Sequence, residues 1–187
     1  MEKKVVVGVI GCGCIANAAH IPSYMNNPDV VIKYFCDIIP ERAEQAVSQY
    51  GCGIAVTDYH DVIGDPEVEA VSVFTPNRMH PVIAMDALRA GKHVLCEKPM
   101  AMNYEEAKKM LAARDKAGKV LTIGYQNRYR KDSLYLKQQA EAGMFGDIYY
   151  AEAIAIRRRA VPTWGVFIDK EKQGGGALID IRTPGLD

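Results

Sequence analysis

The residues Val5-Val6-Val7-Gly8-Val9-Ile10 lead directly into Gly11-Cys12-Gly13-Cys14-Ile15-Ala16. An apolar strand that meets two glycines and a small residue at this spacing is built to turn sharply and open a helix. Gly11 can adopt the backbone angles of the reversal. Gly13 leaves the main chain open to a pyrophosphate with no Cβ in the way, and Ala16 lets the helix pack close to the strand. The helix start then offers free N–H groups and a partial positive charge to the phosphates. A glycine fingerprint alone is weak evidence, but its companion is present. Val30-Val31-Ile32-Lys33-Tyr34-Phe35-Cys36 reads as the next strand, and Asp37 closes it. An acid roughly 20 residues past the turn is where a ribose diol is bound. The two features together predict a dinucleotide site.

Strands and helices alternate through the first two-thirds of the chain. Pro40 suits a first helical position, and Ala43, Ala46, Val47 and Tyr50 recur at helical spacing until Gly51. Ile54-Ala55-Val56 is a short strand, followed by a short helix over 58–63. Ala70-Val71-Ser72-Val73-Phe74 has the near-continuous apolar character of a strand covered on both faces. Met79, Val82, Ile83 and Ala87 mark a helix stopped by Gly91, and Val94-Leu95-Cys96 is a strand. Asn103 can cap a helix that turns Ala107, Met110 and Leu111 inward and ends at Gly118, before a last strand over 120–124. Six strands with helical crossovers predict a Rossmann-type, doubly wound parallel α/β sheet.

The pattern changes near residue 126. A helix is expected over 131–142. Residues 146–156 alternate so that Ile148, Tyr150, Ile154 and Ile156 share one face, which predicts a long strand of an antiparallel sheet. Arg157 to Gly176 reads as a loop and Ala177 to Ile181 as a helix start. The expected organisation is a nucleotide-binding domain over 1–126 and the incomplete start of an α+β substrate domain over 127–187.

Composition narrows the function classes. The 187 residues carry 23 basic and 23 acidic side chains. Zero net charge removes any general argument for nucleic acid or an acidic membrane surface. No apolar run approaches the roughly 20 residues of a membrane helix. The five cysteines (Cys12, Cys14, Cys36, Cys52 and Cys96) form no C-x-x-C pair and no Cys/His cluster. Reduced thiols in a cytoplasmic protein, with no metal, are expected.

Three further segments bear chemistry. Thr75-Pro76-Asn77-Arg78-Met79-His80 follows the fourth strand, at the sheet edge where doubly wound folds bind ligands. Its plain alternative is a helix N-terminus capped by Thr75 or Asn77, with His80 on the surface. Glu97-Lys98-Pro99 follows the fifth strand at the same edge. A lysine there is ordinarily solvated, but beside a nicotinamide it can bind a substrate hydroxyl or pass its proton. Gly174-Gly175-Gly176-Ala177-Leu178-Ile179-Asp180 puts a carboxylate about one turn into a helix behind a flexible entry.

Taken together, these segments resemble the Gfo/Idh/MocA oxidoreductases, a family that includes glucose-fructose oxidoreductase and inositol dehydrogenases. The matching pieces are residues 11–16, 75–80, 91–99 (Gly-Lys-His-Val-Leu-Cys-Glu-Lys-Pro) and 174–181 (Gly-Gly-Gly-Ala-Leu-Ile-Asp-Ile). The resemblance implies an NAD(P) site lined by Gly11, Gly13, Cys14, Ile15, Ala16, Asp37, Thr75, Pro76, Asn77, His80, Glu97 and Lys98. It implies that Lys98 and Asp180 touch substrate and take part in proton transfer. The expected activity is hydride transfer to or from a secondary alcohol of a sugar or cyclitol. NAD is expected over NADP, because Asp37 repels a 2′-phosphate and Ile38, Ile39 and Pro40 supply no cation. Arg128 is a candidate substrate contact or a domain-interface ion pair. Trp164 is expected either to stack on a sugar ring or to pack under its loop. Arg157, Arg158 and Arg159 read as a solvated strand end.

Two departures from the family pattern bear on activity. The family places glycine two residues after the aspartate at 180 and a general acid/base histidine four residues after it. Here those positions are Arg182 and Pro184. Family members are also about twice as long. A truncated or frame-disturbed product, or a dedicated short protein, is expected, and with it a catalytically incompetent nucleotide-binding module as the alternative function. Self-association through the unpaired strand 146–156 is the expected physical consequence.

Overall fold

The computed structural model describes residues 3–152, 154, 166 and 168–174. The first element, β1 (Val5–Ile10), ends at the glycine turn, and a π-helical turn over Ala16–His20 continues into α1 (Ile21–Met25). There follow β2 (Val30–Cys36), α2 (Pro40–Tyr50), β3 (Ile54–Val56), α3 (Tyr59–Gly64), β4 (Ala70–Val73) and α4 (His80–Arg89). Then come β5 (His93–Cys96), α5 (Tyr104–Ala117), β6 (Leu121–Ile123), α6 (Lys131–Glu141) and the short α7 (Lys170–Gln173).

All pairings are parallel, in the order β3-β2-β1-β4-β5-β6. Chain direction across the sheet reverses between β1 and β4, and that switch point opens a crevice at the strands' carboxyl ends. Two apolar layers sandwich the sheet. Val62, Ile83, Leu88 and Met110 of α3, α4 and α5 cover one face together with Val71, Val73 and Val94. Ile21 and Ala46 of α1 and α2 cover the other with Val9, Ile32 and Phe35. Burial on both faces is why these strands read as apolar runs without alternation.

Local chemistry sets the helix boundaries. Asn103 accepts from the Glu106 N–H at 2.9 Å and Asp58 from the His60 N–H at 2.9 Å, each capping its helix. Leu111, expected inward, is exposed, because Met110 alone points into the core from that turn of α5. Lys92 is buried and donates to the carbonyls of Asp65 (2.6 Å) and Val68 (2.8 Å), closing the connection into β4.

Gly8 lies mid-strand in β1. A Cβ there would overlap Val62 Cγ1 on α3. Val62 is fully buried and stiff at χ1, so it cannot step aside. Gly8→Val is expected to destabilise the fold by roughly 1–3 kcal/mol through overpacking. A thermal melt showing no loss relative to the parent chain would contradict this.

The strand expected over 146–156 is not formed by its described residues, Gly146 to Glu152 and Ile154. Among the described residues no neighbouring strand lies beside them, and an extended segment without a ladder leaves its backbone groups to water. Ile148, Tyr150 and Ile154 are all exposed. Of the loop expected over Arg157 to Gly176, residues 166 and 168–174 are described, and Lys170–Gln173 form the short α7 there instead, capped by Asp169, which accepts from the Glu171 N–H at 3.1 Å. The helix start expected over Ala177 to Ile181 lies outside the described residues.

Candidate functional site

The described candidate residues from Gly11 to Lys98 follow the carboxyl ends of β1, β2, β4 and β5. Gly11 takes φ +98°, and its N–H donates to the Cys36 carbonyl at 2.8 Å. A Cβ at Gly11 would stand 2.6 Å from the Phe74 carbonyl oxygen, so the turn lies hard against the end of β4. Gly13 is the opposite case, since a Cβ there would meet nothing within 4 Å. Protein geometry demands glycine at 11, whereas glycine at 13 leaves open a path toward the backbone. Ala16 is fully buried, and Cys14 and Ile15 are exposed beside the opening helix. Asn17 braces the turn by donating Nδ2 to the carbonyls of Cys12 (2.8 Å) and Gly13 (3.0 Å).

Asp37 closes β2 with its carboxylate against this turn. Oδ2 accepts from the Cys12 N–H at 2.9 Å and Oδ1 from the Ile39 N–H at 3.0 Å. Each oxygen keeps a second lone pair for a diol. Burial, reinforced by the Asp37 charge, pushes the Cys12 thiol up to about 12, so it remains a neutral packing group. Arg42 is exposed on α2.

The β4 loop brings Thr75, Pro76 and Asn77 to the same edge. Thr75 Oγ1 is buried and has no hydrogen-bond partner among the described residues. A buried hydroxyl of this kind needs a partner, and a cofactor in the crevice can provide one. Open space over Gly13, the Asp37 carboxylate and the Thr75 hydroxyl together fit a nicotinamide dinucleotide. Asn77 turns away from that role in part, since its Nδ2 donates to the Gln173 carbonyl at 3.0 Å. It thereby ties the segment leading to Gly174 onto the cofactor edge.

His80, expected to line the cofactor or, on the plainer alternative, to lie on the surface, is buried, and the surface alternative is thereby corrected. The ring is 1% exposed, with Nδ1 2.8 Å from the Pro99 carbonyl and Nε2 2.8 Å from the Thr75 carbonyl. It pins the β4 and β5 loops together from beneath. Burial holds its pKa below the ordinary imidazole value, outweighing the two carbonyls that favour the protonated ring. The folded ring thus binds a proton less readily than the unfolded one. Its stabilising contribution is present above about pH 6.5 and is lost as pH falls through that value. The melting temperature is expected to drop between pH 7 and pH 5, with a smaller drop in His80→Gln. Equal drops in both chains would remove this assignment.

At the end of β5, Glu97 is buried and makes three contacts. Oε1 accepts from His20 Nε2 at 2.7 Å and Gln126 Nε2 at 2.6 Å, and Oε2 from the Lys98 N–H at 2.9 Å. Burial acts to raise its pKa, but the His20, Lys98 and Gln126 donors outweigh it and hold Glu97 below the usual carboxylate range. Gly124 makes room for this, as a Cβ there would come within 3.2 Å of Oε1. Lys98 is half-buried beside it. The guanidinium of Arg128 lies over the Tyr125 ring at 5.8 Å, on an exposed turn after β6. Asp180, Trp164, Arg157, Arg158, Arg159, Arg182 and Pro184 lie outside the described residues. Sequence reasoning missed His20, Gln126 and Phe74. Phe74 and Gln126 lie just past β4 and β6, whereas His20 ends the π-helical turn with no local signal, and their meeting is a tertiary event.

Among the described residues no group of three His, Cys, Asp or Glu is arranged to hold a metal. No helix among them is long and apolar enough to cross a membrane.

Comparison with known proteins identifies the family and the fold. The family model described as "Oxidoreductase family, NAD-binding Rossmann fold" (GFO_IDH_MocA) matches residues 5–125. D-glucoside 3-dehydrogenase of Escherichia coli (strain K12) is 39% identical over 181 residues, covering 97% of this chain and 52% of that protein. The WlbA dehydrogenase from Bordetella pertussis, solved with NADH and UDP-GlcNAcA, superposes with a TM-score of 0.74 at 32% identity. That match covers 79% of this chain and 42% of WlbA. KijD10, a 3-ketoreductase from Actinomadura kijaniata solved with NADP and TDP-benzene, gives a TM-score of 0.82 at 26% identity, covering 98% of this chain and 57% of KijD10. The chain spans about half the length of the curated relatives it matches. It belongs to the Gfo/Idh/MocA oxidoreductase family and carries that family's NAD-binding Rossmann fold.

Proposed function

We propose that this family member is an NAD-dependent oxidoreductase acting on a secondary alcohol of a sugar or cyclitol. The observation that carries the reading is the convergence of the glycine turn, Asp37, the unpartnered Thr75 hydroxyl and Lys98 on one edge of the sheet. The turn and helix start would hold the diphosphate and Asp37 the ribose diol. The nicotinamide, when bound, supplies the hydride donor or acceptor. Lys98 Nζ would hold the substrate oxygen, and Asp180 would take or return its proton. Arg128 and Trp164 remain candidate sugar contacts. The division into a cofactor domain over 1–126 and a substrate segment from 127 onward belongs to this proposal. So do a cytoplasmic location and self-association through the exposed Ile148, Tyr150 and Ile154.

Calorimetric titration with NAD and NADP, followed by a sugar and inositol screen read at the NADH absorbance, tests the reading. Tighter NAD binding and turnover of one polyol are expected. Absence of dinucleotide binding overturns it. Pro184 at the family's histidine position favours a second reading, a nucleotide-binding module without catalysis. NAD binding with flat absorbance traces across the screen would select it.

Cofactor choice is open to a separate test. Ile38 is exposed beside Asp37 and carries no charge. The double substitution Asp37→Ser with Ile38→Arg is expected to shift the NADP-to-NAD affinity ratio by about tenfold or more, some 1.4 kcal/mol. An unchanged ratio would mean that Asp37 does not read the ribose.

A further inference from the structure

His20 is the last residue of the π-helical turn that starts behind the phosphate-binding glycines, and its ring reaches across the crevice to β5. It stacks on Phe74 with ring centroids 4.0 Å apart and an interplanar angle of 21°. Its Nε2 lies 2.7 Å from Glu97 Oε1. An ionised carboxylate only accepts, so Nε2 carries the hydrogen and the ring donates. Glu97 in turn holds the backbone of Lys98 through Oε2, and both side chains of the His20–Glu97 pair are largely shielded from water. The stack fixes the ring plane, the donated hydrogen fixes the carboxylate, and the carboxylate fixes the first atom of the lysine that follows.

We propose that His20 is a positioning residue that sets where Lys98 stands and links the phosphate-binding turn to the reacting end of the crevice. Lys98 earns its catalytic role from the functional reading above, but its placement by His20 does not depend on turnover. Four segments distant along the chain converge here. The turn after β1 supplies His20, the end of β4 supplies Phe74, β5 supplies Glu97, and the segment after β6 supplies Gln126. Gln126 shares Oε1 with His20, so the carboxylate keeps one donor when His20 loses its own. The expected result is a displaced lysine in a folded protein.

Two substitutions separate the donor from the stack. His20→Phe keeps an aromatic ring for Phe74 and removes the N–H. His20→Gln keeps an N–H and removes the ring. The readout is the rate at which Lys98 is modified by trinitrobenzenesulfonate, followed by peptide mass spectrometry in the intact chain with Lys108 as internal reference. His20→Phe is expected to raise the Lys98 rate about threefold or more relative to Lys108, and His20→Gln to stay near the parent rate. A His20→Phe chain whose Lys98 reacts at the parent rate overturns the proposal. Equal rises in both variants overturn it too, since shape alone would then matter. If His20→Phe fails to fold, Glu97→Gln provides the same reading from the acceptor side, and an unmoved Lys98 rate there overturns the proposal. An absence of dehydrogenase turnover leaves every arm of the experiment readable.

Discussion

Alanine at position 11 is expected to abolish NADH binding and to lower the stability of the whole domain. Gly11 sits at φ +98°, where a side chain adds roughly 1–2 kcal/mol of backbone strain. The new Cβ would also lie 2.6 Å from the Phe74 carbonyl oxygen and 2.7 Å from its carbon. Both are main-chain atoms at the end of a buried strand, so relief requires moving β4 or the turn itself. Overpacking of that kind adds roughly 1–3 kcal/mol. For a chain of this size the combined loss corresponds to a melting temperature lower by about 5–15 °C. The matched control is Gly13→Val. Nothing stands within 4 Å of the position a Cβ would take at Gly13, so the fold should melt as before while the dinucleotide is excluded. Calorimetry and NADH fluorescence on the two variants separate a glycine the protein needs from one the ligand needs. A Gly11→Ala chain that melts normally and binds NADH would refute the assignment of the turn.

Removal of the Lys98 amine is expected to have the largest effect on rate. If Lys98 holds the substrate oxygen while its proton moves, Lys98→Ala should slow hydride transfer by roughly 10²- to 10⁴-fold. On the proposed reading the dinucleotide is held by the glycine turn, Asp37 and Thr75, so its affinity should change by less than about threefold. Glu97 and His20 should remain paired, because alanine keeps the backbone N–H that Glu97 Oε2 accepts at position 98. Single-turnover absorbance measurements with saturating cofactor give the rate, and fluorescence titration gives the affinity. A parallel loss of affinity would place Lys98 in cofactor binding. An unchanged rate would remove it from the reaction.

The two predictions differ in how far their premises could be read from the chain alone. Gly11 and Asp37 were legible because the turn and the following strand form a local unit, repeated in composition by any chain that makes the same bend. The six strands were legible for a related reason. A parallel sheet buried on both faces selects apolar runs such as 70–74, and the intervening helices carry their own stops, Gly51 and Gly118, both in the left-handed conformation at the helix ends. His80 lies at the sheet edge that its position after β4 implies, but its burial was not legible there. The peptide carbonyls of Thr75 and Pro99 that capture its ring belong to different strand connections. The segment 146–156 has the alternation of a strand, yet alternation describes which face is apolar and does not supply the neighbour whose N–H and C=O groups make a strand.

The sequence by itself determined the alternating architecture, the glycine turn, the acid that follows it and the family to which those motifs belong. Each is written in contiguous residues whose backbone angles, side-chain volume or periodicity decide the outcome locally. Tertiary structure alone decided that Gly8 makes room for Val62, that Asn77 holds the Gln173 carbonyl, and that His20, Phe74 and Gln126 gather around Glu97. Those partners are separated along the chain by up to 96 residues. Gly8 and Val62 meet in the layer between sheet and helix, and the others meet because parallel strands deliver all their carboxyl ends to one edge, where side chains with no common sequence signal become neighbours.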